Sequence, residues 1–310
     1  MSQLVELALD ALYQIILPIF LVFGVGFLVG RELDLGSSVD KSLSKLVFYV
    51  FSPCLVFSSL VASDVKAEEM GQIGVFVVVM TLVMGAIAWA LARLLRLSPS
   101  DAGSLMLVAI FGNIGNYGLP LNELAFGPKA LDRAVIYFVV SSVLLFSLGI
   151  VIAARAREST PRQALVRVAR VPVVHALWLA GLIRLEVLPL PSPILEAASL
   201  LARATVPLML LILGVQLSRV RVRGNWRLLS LATGVRMLLA PLAALLLAGL
   251  MGLNGVTEQV SVVEASMPSA VYTIILATEF DLALDVTSGV VFVTTFISPL
   301  TLIPLISHLR

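Results

Sequence analysis

The sequence predicts an all-α integral membrane protein with ten transmembrane helices, and three observations support this. Hydrophobic residues make up 59% of the 310 residues and charged residues only 13%, whereas soluble domains contain about 25% charged residues. Apolar stretches of about 20 residues, the length that crosses the hydrocarbon of a bilayer, recur along the chain. The connections between these stretches are short, so no soluble domain is expected.

Each predicted span is placed where an apolar stretch reaches the required length. The ten stretches run about 11–30, 43–62, 71–95, 102–125, 134–154, 168–186, 198–218, 228–251, 258–279 and 286–307. Five of them lie in residues 1–154 and five in residues 155–310, so the chain divides into two halves of equal span number.

Basic residues predict the orientation of the spans. Fourteen Lys and Arg residues lie in one alternating set of loops and five in the other. Because short cytoplasmic loops are enriched in Lys and Arg, the richer set is assigned to the cytoplasm. Both termini are then predicted to be extracytoplasmic.

The spacing of prolines predicts an internal repeat. Pro18 and Pro53 lie 35 residues apart, as do Pro172 and Pro207. The shift between the pairs aligns spans 1 and 2 with spans 6 and 7. Because each half has an odd number of spans, the second half enters the membrane from the opposite side, which gives a 5+5 inverted repeat.

Two predicted spans are interrupted by polar and helix-breaking residues. In span 4 the chain reads G-N-I-G-N-Y-G-L-P-L over residues 112–121, and in span 9 it reads E-A-S-M-P-S-A over residues 264–270. Pro120 and Pro268 remove backbone donors and the glycines weaken the helix. Broken helix at membrane depth is tolerated only inside protein or beside a watery cavity. Broken spans in corresponding halves therefore indicate a transporter binding site.

The residues around the two breaks form the candidate binding site. Half-helices that meet there direct positive and negative ends at the same depth, which suits an anionic group and a cation together. The alternative is that Gly and Pro are simply frequent in membrane helices and that the asparagines bond neighbouring helices. The candidate substrate-binding residues are Asn113, Asn116, Gly118, Pro120, Pro268 and Ser269.

Three charged residues near the breaks are singled out. A carboxylate such as Glu264 near the midplane must bind a proton, hold a cation such as Na⁺ or pair with a basic residue. We therefore assign Glu264 as the candidate coupling-ion residue. Arg236 is its candidate charge partner, although it could instead face the substrate or extend to lipid headgroups. Glu123 lies nearer the outer end of span 4 and is a candidate gate.

Several function classes lack support in the sequence. The formal charge of +2 is small and scattered, so no nucleic-acid partner is expected. The single cysteine forms no intrachain disulfide or metal cluster, and no cofactor is expected beyond a coupling H⁺ or Na⁺. No catalytic cluster and no P-loop motif is present, so neither an enzyme nor a nucleotide-driven pump is predicted.

The break in span 4 resembles the fourth-span signature of the auxin efflux carrier family. The segment from Ile275 to Ile306 resembles the end of that family's sequences. Asn113, Pro120 and Pro268 match family positions, whereas a carboxylate at Glu264 is similar only to the cation site of the related bile acid carriers. The short connection after span 5 resembles the bacterial branch of the family and thus a location in the cell inner membrane.

This resemblance implies a fold similar to bile acid symporters and sodium/proton antiporters. Spans 1, 2, 6 and 7 would form a scaffold, spans 3–5 and 8–10 a moving crossover domain, and two copies a homodimer in the bilayer. It also implies a small organic anion as substrate, either an auxin-like indole acid or a short carboxylate such as malonate.

The sequence therefore predicts a secondary transporter that works by alternating access, coupled to H⁺ or Na⁺ through Glu264. A potential-driven uniporter of the same anions is the closest alternative, since the membrane potential alone supplies about 2.3 kcal/mol per charge per 100 mV. A channel, a non-transporting sensor and a membrane-embedded enzyme are the further alternatives.

Overall fold

A computed structural model describes residues 2–33, 42–154, 171–222 and 224–310. Over these ranges the chain is helical apart from short connections and two central breaks. The helices are α1 Glu6–Glu32, α2 Ser42–Ala62, α3 Ala67–Leu94, α4 Pro99–Ile110, α5 Leu119–Phe126, α6 Pro128–Ala154, α7 Pro172–Arg184, α8 Ser192–Ser218, α9 Trp226–Leu250, α10 Gly255–Ala265, α11 Tyr272–Glu279, α12 Leu284–Ile297 and α13 Pro299–Leu309. The predicted basic loop residues Lys41, 155–170 and Arg223 lie outside the described ranges.

The predicted apolar stretches coincide with helices wherever the chain is described. Six helices are long and apolar enough to cross a membrane, and a seventh span results if α12 and α13, bent by 49°, are taken together. This number fits a multi-pass membrane protein. The remaining predicted spans are the short helix α7 and the broken pairs α4/α5 and α10/α11, so ten crossings stay a prediction.

Wide, π-helical turns precede prolines in several helices. The turn Ala11–Ile16 comes before Pro18 in α1, and the turn Val47–Phe51 comes before Pro53 in α2. Proline lacks the N–H that would close the next helical hydrogen bond, so a locally widened turn re-pairs the backbone. A similar turn, Val235–Leu239 in α9, contains Arg236 and lies just before another proline.

Helices α1 and α8 approach each other at backbone contact distance. A Cβ added to Gly26 would lie 2.1 Å from the Leu211 carbonyl oxygen, and one added to Gly214 would lie 2.1 Å from the Phe23 carbonyl oxygen. Small residues at a helix interface allow this approach without a hydrophobic driving force. Helices α2 and α7 also pack together, and α8 contacts α2 as well as α1. The four helices α1, α2, α7 and α8 thus form one packed group.

A polar cluster joins α3, α6 and α10 at one end of the helices. The Arg133 Nη2 atom donates to both carboxylate oxygens of Glu69, at 2.9 and 3.0 Å, and Arg133 Nε donates to Thr257 Oγ1 at 3.3 Å. Lys129 Nζ lies 3.5 Å from Asp64, which connects the start of α6 to the α2–α3 connection. The cluster links the four-helix group to the remaining helices at that end.

Candidate functional site

The two chain breaks meet inside the protein. Helix α4 ends at Ile110 and helix α10 ends at Ala265, and the extended residues that follow each helix run antiparallel to one another. The Asn113 N–H donates to the Pro268 carbonyl at 2.7 Å, and the Ala270 N–H donates to the Phe111 carbonyl at 2.9 Å. The breaks predicted from two distant parts of the sequence are therefore in direct contact.

The sequence explains why the helix restarts where it does after the first break. Asn113 has a non-helical backbone, and its carbonyl accepts hydrogen bonds from the N–H groups of Tyr117, at 3.3 Å, and Gly118, at 3.0 Å. The helix restarts as a wide π-helical turn, Ile114–Gly118, that runs directly into α5, and Pro120 follows this turn as Pro18 and Pro53 follow theirs. The restart directs the positive end of α5 toward the break.

Glu264 lies fully buried at this junction, with 0% of its surface exposed. Asn122 Nδ2 donates to Glu264 Oε1 at 3.0 Å and also to the Gly118 carbonyl at 3.0 Å. Among the described residues, Glu264 Oε2 has no hydrogen-bond partner. Gly118 makes room for this carboxyl group, because a Cβ at that position would lie 1.9 Å from Oε2.

Arg236 is also buried, with 2% exposed, but it does not pair with Glu264. Its Nε atom donates to the Met267 carbonyl at 2.6 Å, and its Nη1 atom donates to the carbonyls of Ala109 and Ile110 at 3.1 and 3.4 Å. Within the described ranges, Glu264 forms no ion pair. The guanidinium therefore contacts backbone at both breaks and does not extend to headgroups.

The other predicted site residues differ in accessibility. Asn113 is buried and its Nδ2 donor has no partner, whereas Asn116 is partly exposed. The Ser269 hydroxyl donates to the Val108 carbonyl at 2.8 Å, so it links the two breaks. Pro120 and Pro268 are buried. Glu123 is partly exposed on α5, one residue beyond Asn122.

Sequence reasoning missed several residues of the site. Asn122 is the direct hydrogen-bond partner of Glu264, and its only signal was an amide one helical turn after Gly118 in an otherwise apolar half-helix. Tyr117 OH lies 3.0 Å from Ser298 Oγ at the bend between α12 and α13. Because Ser298 lies outside both breaks, no local pattern indicates this contact.

Aromatic rings close the space between the breaks and helix α1. The Phe20 ring lies 6.3 Å from the Tyr117 ring and 5.6 Å from the Phe23 ring, and the Phe23 ring lies 5.5 Å from that of Phe296. Phe20, Phe23 and Tyr117 line a crevice that is too narrow to admit a water molecule. The Tyr117 ring at the first break is therefore packed against aromatic side chains of α1.

The site combines groups that suit an anion with one unpaired acid. The helical turn that restarts at Ile114 and leads into α5 directs a positive helix end at the break, and Asn113 supplies a buried donor. Glu264 supplies a carboxyl group that can accept a proton or a cation. No cluster of three or more His, Cys, Asp or Glu side chains that could hold a metal is found among the described residues.

Several known proteins are similar to this chain in sequence over most of its length. An uncharacterised transporter of Methanothermobacter thermautotrophicus is 29% identical over 93% of this chain and 95% of its own. An uncharacterised transporter of Methanocaldococcus jannaschii is 27% identical over 84% and 87%. A Rhizobium meliloti protein named "Putative malonate transporter" is 23% identical over 96% and 95%.

The family profile described as membrane transport protein matches residues 11–306. This match covers all the predicted spans, including both breaks and the segment from Ile275 to Ile306 that carried the resemblance. The chain therefore belongs to the membrane transport protein family, the family of the auxin efflux carriers.

Proposed function

We propose that the protein is a secondary carrier that moves a small organic anion across the membrane by alternating access. The single observation that supports this best is the contact between two buried chain breaks at which a donor, Asn113 Nδ2, and an acceptor, Glu264 Oε2, both lack partners. Buried polar groups are nearly always paired, so orphaned ones at such a junction favour a ligand site. Asn113, Asn116 and the start of α5 bind the anion in this proposal.

The packing supports a division into two moving parts. Helices α1, α2, α7 and α8 are the proposed scaffold, and the close contact of α1 with α8 makes that group rigid. The remaining helices contain both breaks and are the proposed transport domain. Tyr117 of the proposed transport domain packs against Phe20 of the scaffold, and in the proposed mechanism this domain moves along the scaffold to expose the site on each side of the membrane in turn.

A short carboxylate is the proposed substrate, with malonate as the first candidate. The Rhizobium meliloti relative, which is similar over 95% of its own length, is named "Putative malonate transporter". Asn113 and Asn116 offer amide donors at a helix start, which suits a compact carboxylate. An auxin-like indole acid is the second candidate, and the aromatic rings of Phe20 and Tyr117 favour it.

Glu264 is the proposed coupling residue, with H⁺ or Na⁺ exchanged as the transport domain moves. Its burial without an ionic partner supports this role, because such a carboxyl group is costly unless it binds a cation or proton. A uniporter driven by the membrane potential is the alternative. In that case the carboxyl group has only a structural role through Asn122.

The wider arrangement extends the same proposal. Ten spans form a 5+5 inverted repeat in the cell membrane, with both termini extracytoplasmic and two copies forming a homodimer. The partners are the lipid bilayer and the transported anion, and no nucleic acid is involved. The protein is not an enzyme in this proposal, which agrees with the transporter names of its relatives.

Charge movement in reconstituted proteoliposomes tests the proposal. Wild-type protein and the variant Glu264→Gln are challenged with malonate, other short carboxylates and indole acids under separate proton and Na⁺ gradients. The matched control is Glu258→Gln, which alters another carboxyl group on the same helix, six residues away. We expect saturable current for one anion class, altered by one gradient in wild type and Glu258→Gln only.

Other outcomes separate the alternatives. Saturable current that is identical in all three proteins supports the uniporter and gives Glu264 a structural role. Binding of an anion with no current in any protein supports a sensor and contradicts the carrier.

A further inference from the structure

Each of the last four carbonyl groups of α4 accepts a hydrogen bond, and Arg236 is the donor to the last two. The final carbonyls of a helix have no partner within it and must find one elsewhere. Leu107 O accepts from the Phe111 N–H at 3.0 Å, and Val108 O accepts from the hydroxyl of Ser269 at 2.8 Å. The remaining pair, Ala109 O and Ile110 O, both accept from Arg236 Nη1.

The same guanidinium also satisfies the chain after α10. Within that break the Glu264 carbonyl accepts from the Met267 N–H at 3.2 Å, and the Met267 carbonyl accepts from Arg236 Nε at 2.6 Å. One side chain therefore binds the carbonyl end of α4 and an unwound carbonyl two residues past the end of α10. The end of α4 carries partial negative charge from the aligned peptide dipoles.

Local structure holds the guanidinium in this position. Arg236 lies in the wide turn Val235–Leu239 of α9 and is 2% exposed. Gly112 leaves the space for it, since a Cβ there would lie 2.1 Å from Arg236 Nη2. The two residues belong to different halves of the chain.

We propose that Arg236 is a fixed internal cation that occupies the position an alkali-metal ion would take between the negative end of α4 and the unwound carbonyl of Met267 after α10. In broken-helix carriers, unwound carbonyls and half-helix C-terminal ends are the groups that coordinate Na⁺. Here the carbonyls of Ala109, Ile110 and Met267 are bound by the guanidinium. The junction therefore needs no Na⁺ at these three carbonyl groups. The positive charge of Arg236 stays in the protein when the substrate leaves.

This inference deepens the proposed function, and its consequence for ion coupling rests on that function. The test itself measures cation binding and thermal stability, not transport. The thermal unfolding midpoint of the purified full-length protein in nanodiscs is measured in a Glu264→Gln parent, in which the proposed coupling carboxylate cannot hold Na⁺, while Na⁺ replaces choline at constant ionic strength. The same titration is repeated with methylguanidinium on Arg236→Ala. Arg203→Ala is the matched control, since Arg203 is an exposed arginine of α8.

We expect no Na⁺-specific shift in the Glu264→Gln parent or after Arg203→Ala is added to it. Adding Arg236→Ala exposes three carbonyl groups, so a small cation should bind there and raise the midpoint saturably, by about 3 °C or more. A Na⁺-specific rise in the parent, which retains Arg236, overturns the proposal, as does an Arg236→Ala protein that responds to neither cation.

A second comparison serves if Arg236→Ala does not fold. Arg236→Lys keeps the charge and Arg236→Met keeps most of the volume without it. The Lys variant should then retain the higher midpoint, and an equal or higher midpoint for the Met variant overturns the proposal. A protein that moves no anion would refute the carrier function while leaving these stability results to decide the role of Arg236.

Discussion

The contact between α1 and α8 makes a sharp prediction, because two glycines of one helix have opposite surroundings. A Cβ at Gly26 would lie 2.1 Å from the Leu211 carbonyl oxygen and 2.9 Å from its carbonyl carbon, whereas a Cβ at Gly24 has nothing within 4 Å. The obstruction at Gly26 is backbone, so it cannot rotate away. Gly26→Ala must therefore push the two helices apart.

The magnitude follows from two opposing effects. Replacing Gly by Ala inside a helix favours the helix by about 0.5–1 kcal/mol. Overpacking against a rigid neighbour costs about 1–3 kcal/mol, and the Gly26 contact is over an ångström shorter than ordinary van der Waals contact, so the upper part of that range applies. The two effects leave a net destabilisation of about 2 kcal/mol. At about 2–4 °C per kcal/mol, Gly26→Ala should therefore lower the unfolding midpoint by about 4–8 °C.

Thermal unfolding of the purified protein in nanodiscs measures both variants. Gly24→Ala is the matched control, because it makes the same chemical change two residues away on the same helix. Its midpoint should equal or exceed that of wild type by up to about 3 °C. Equal midpoints for the two variants would refute the packing described for α1 and α8.

The remaining predictions concern the junction and the polar cluster. Gly118→Ala should displace the carboxyl group of Glu264 and reduce anion transport by about tenfold or more. The unfolding midpoint should change little, because only the end of a flexible side chain must move. Unchanged transport would contradict the contact between Gly118 and Glu264. Asn122→Leu removes the hydrogen-bond donor that the described part of the chain supplies to that carboxyl group, so it should alter the pH dependence of transport, as measured by initial rates at several pH values. An unaltered profile would show that this hydrogen bond has no functional part. Arg133→Met should lower the unfolding midpoint by about 3 °C or more, because the Arg133 side chain is only 11% exposed. The Lys129 side chain is 73% exposed, so Lys129→Met should change the midpoint by no more than about 1 °C. A larger loss for Lys129→Met than for Arg133→Met would refute the assignment of the cluster.

The helices and the two breaks were predictable from the sequence because their signals are local. Apolar length places the helices, and the prolines with their neighbouring glycines predict interruptions over residues 112–121 and 264–270; the chain leaves the helix there at 111–113 and 266–271 and is helical again from Ile114. Family membership was also predictable, since the signature around Asn113 and Pro120 is specific and the family profile covers residues 11–306. The ten crossings, the inverted repeat and the orientation stay predictions.

Side-chain partnerships were less predictable because they depend on which helices meet. Charge alone suggested Arg236 as a partner of Glu264, but the structure places the guanidinium on backbone carbonyls of both breaks. The last carbonyl groups of a broken helix also need hydrogen-bond donors, and this need cannot be recognised from the identities of the side chains. Asn122 was overlooked for the same reason, since its role depends on a residue 142 positions away.

Counterflow of labelled malonate is the most direct test of the carrier account. Proteoliposomes loaded with excess unlabelled malonate are diluted into a trace of labelled malonate, and internal label is followed over time. A carrier with one alternately exposed site predicts transient accumulation of label above the external level, saturable by unlabelled malonate outside. Label that only equilibrates, with a rate that rises linearly with concentration, would contradict alternating access and favour a channel.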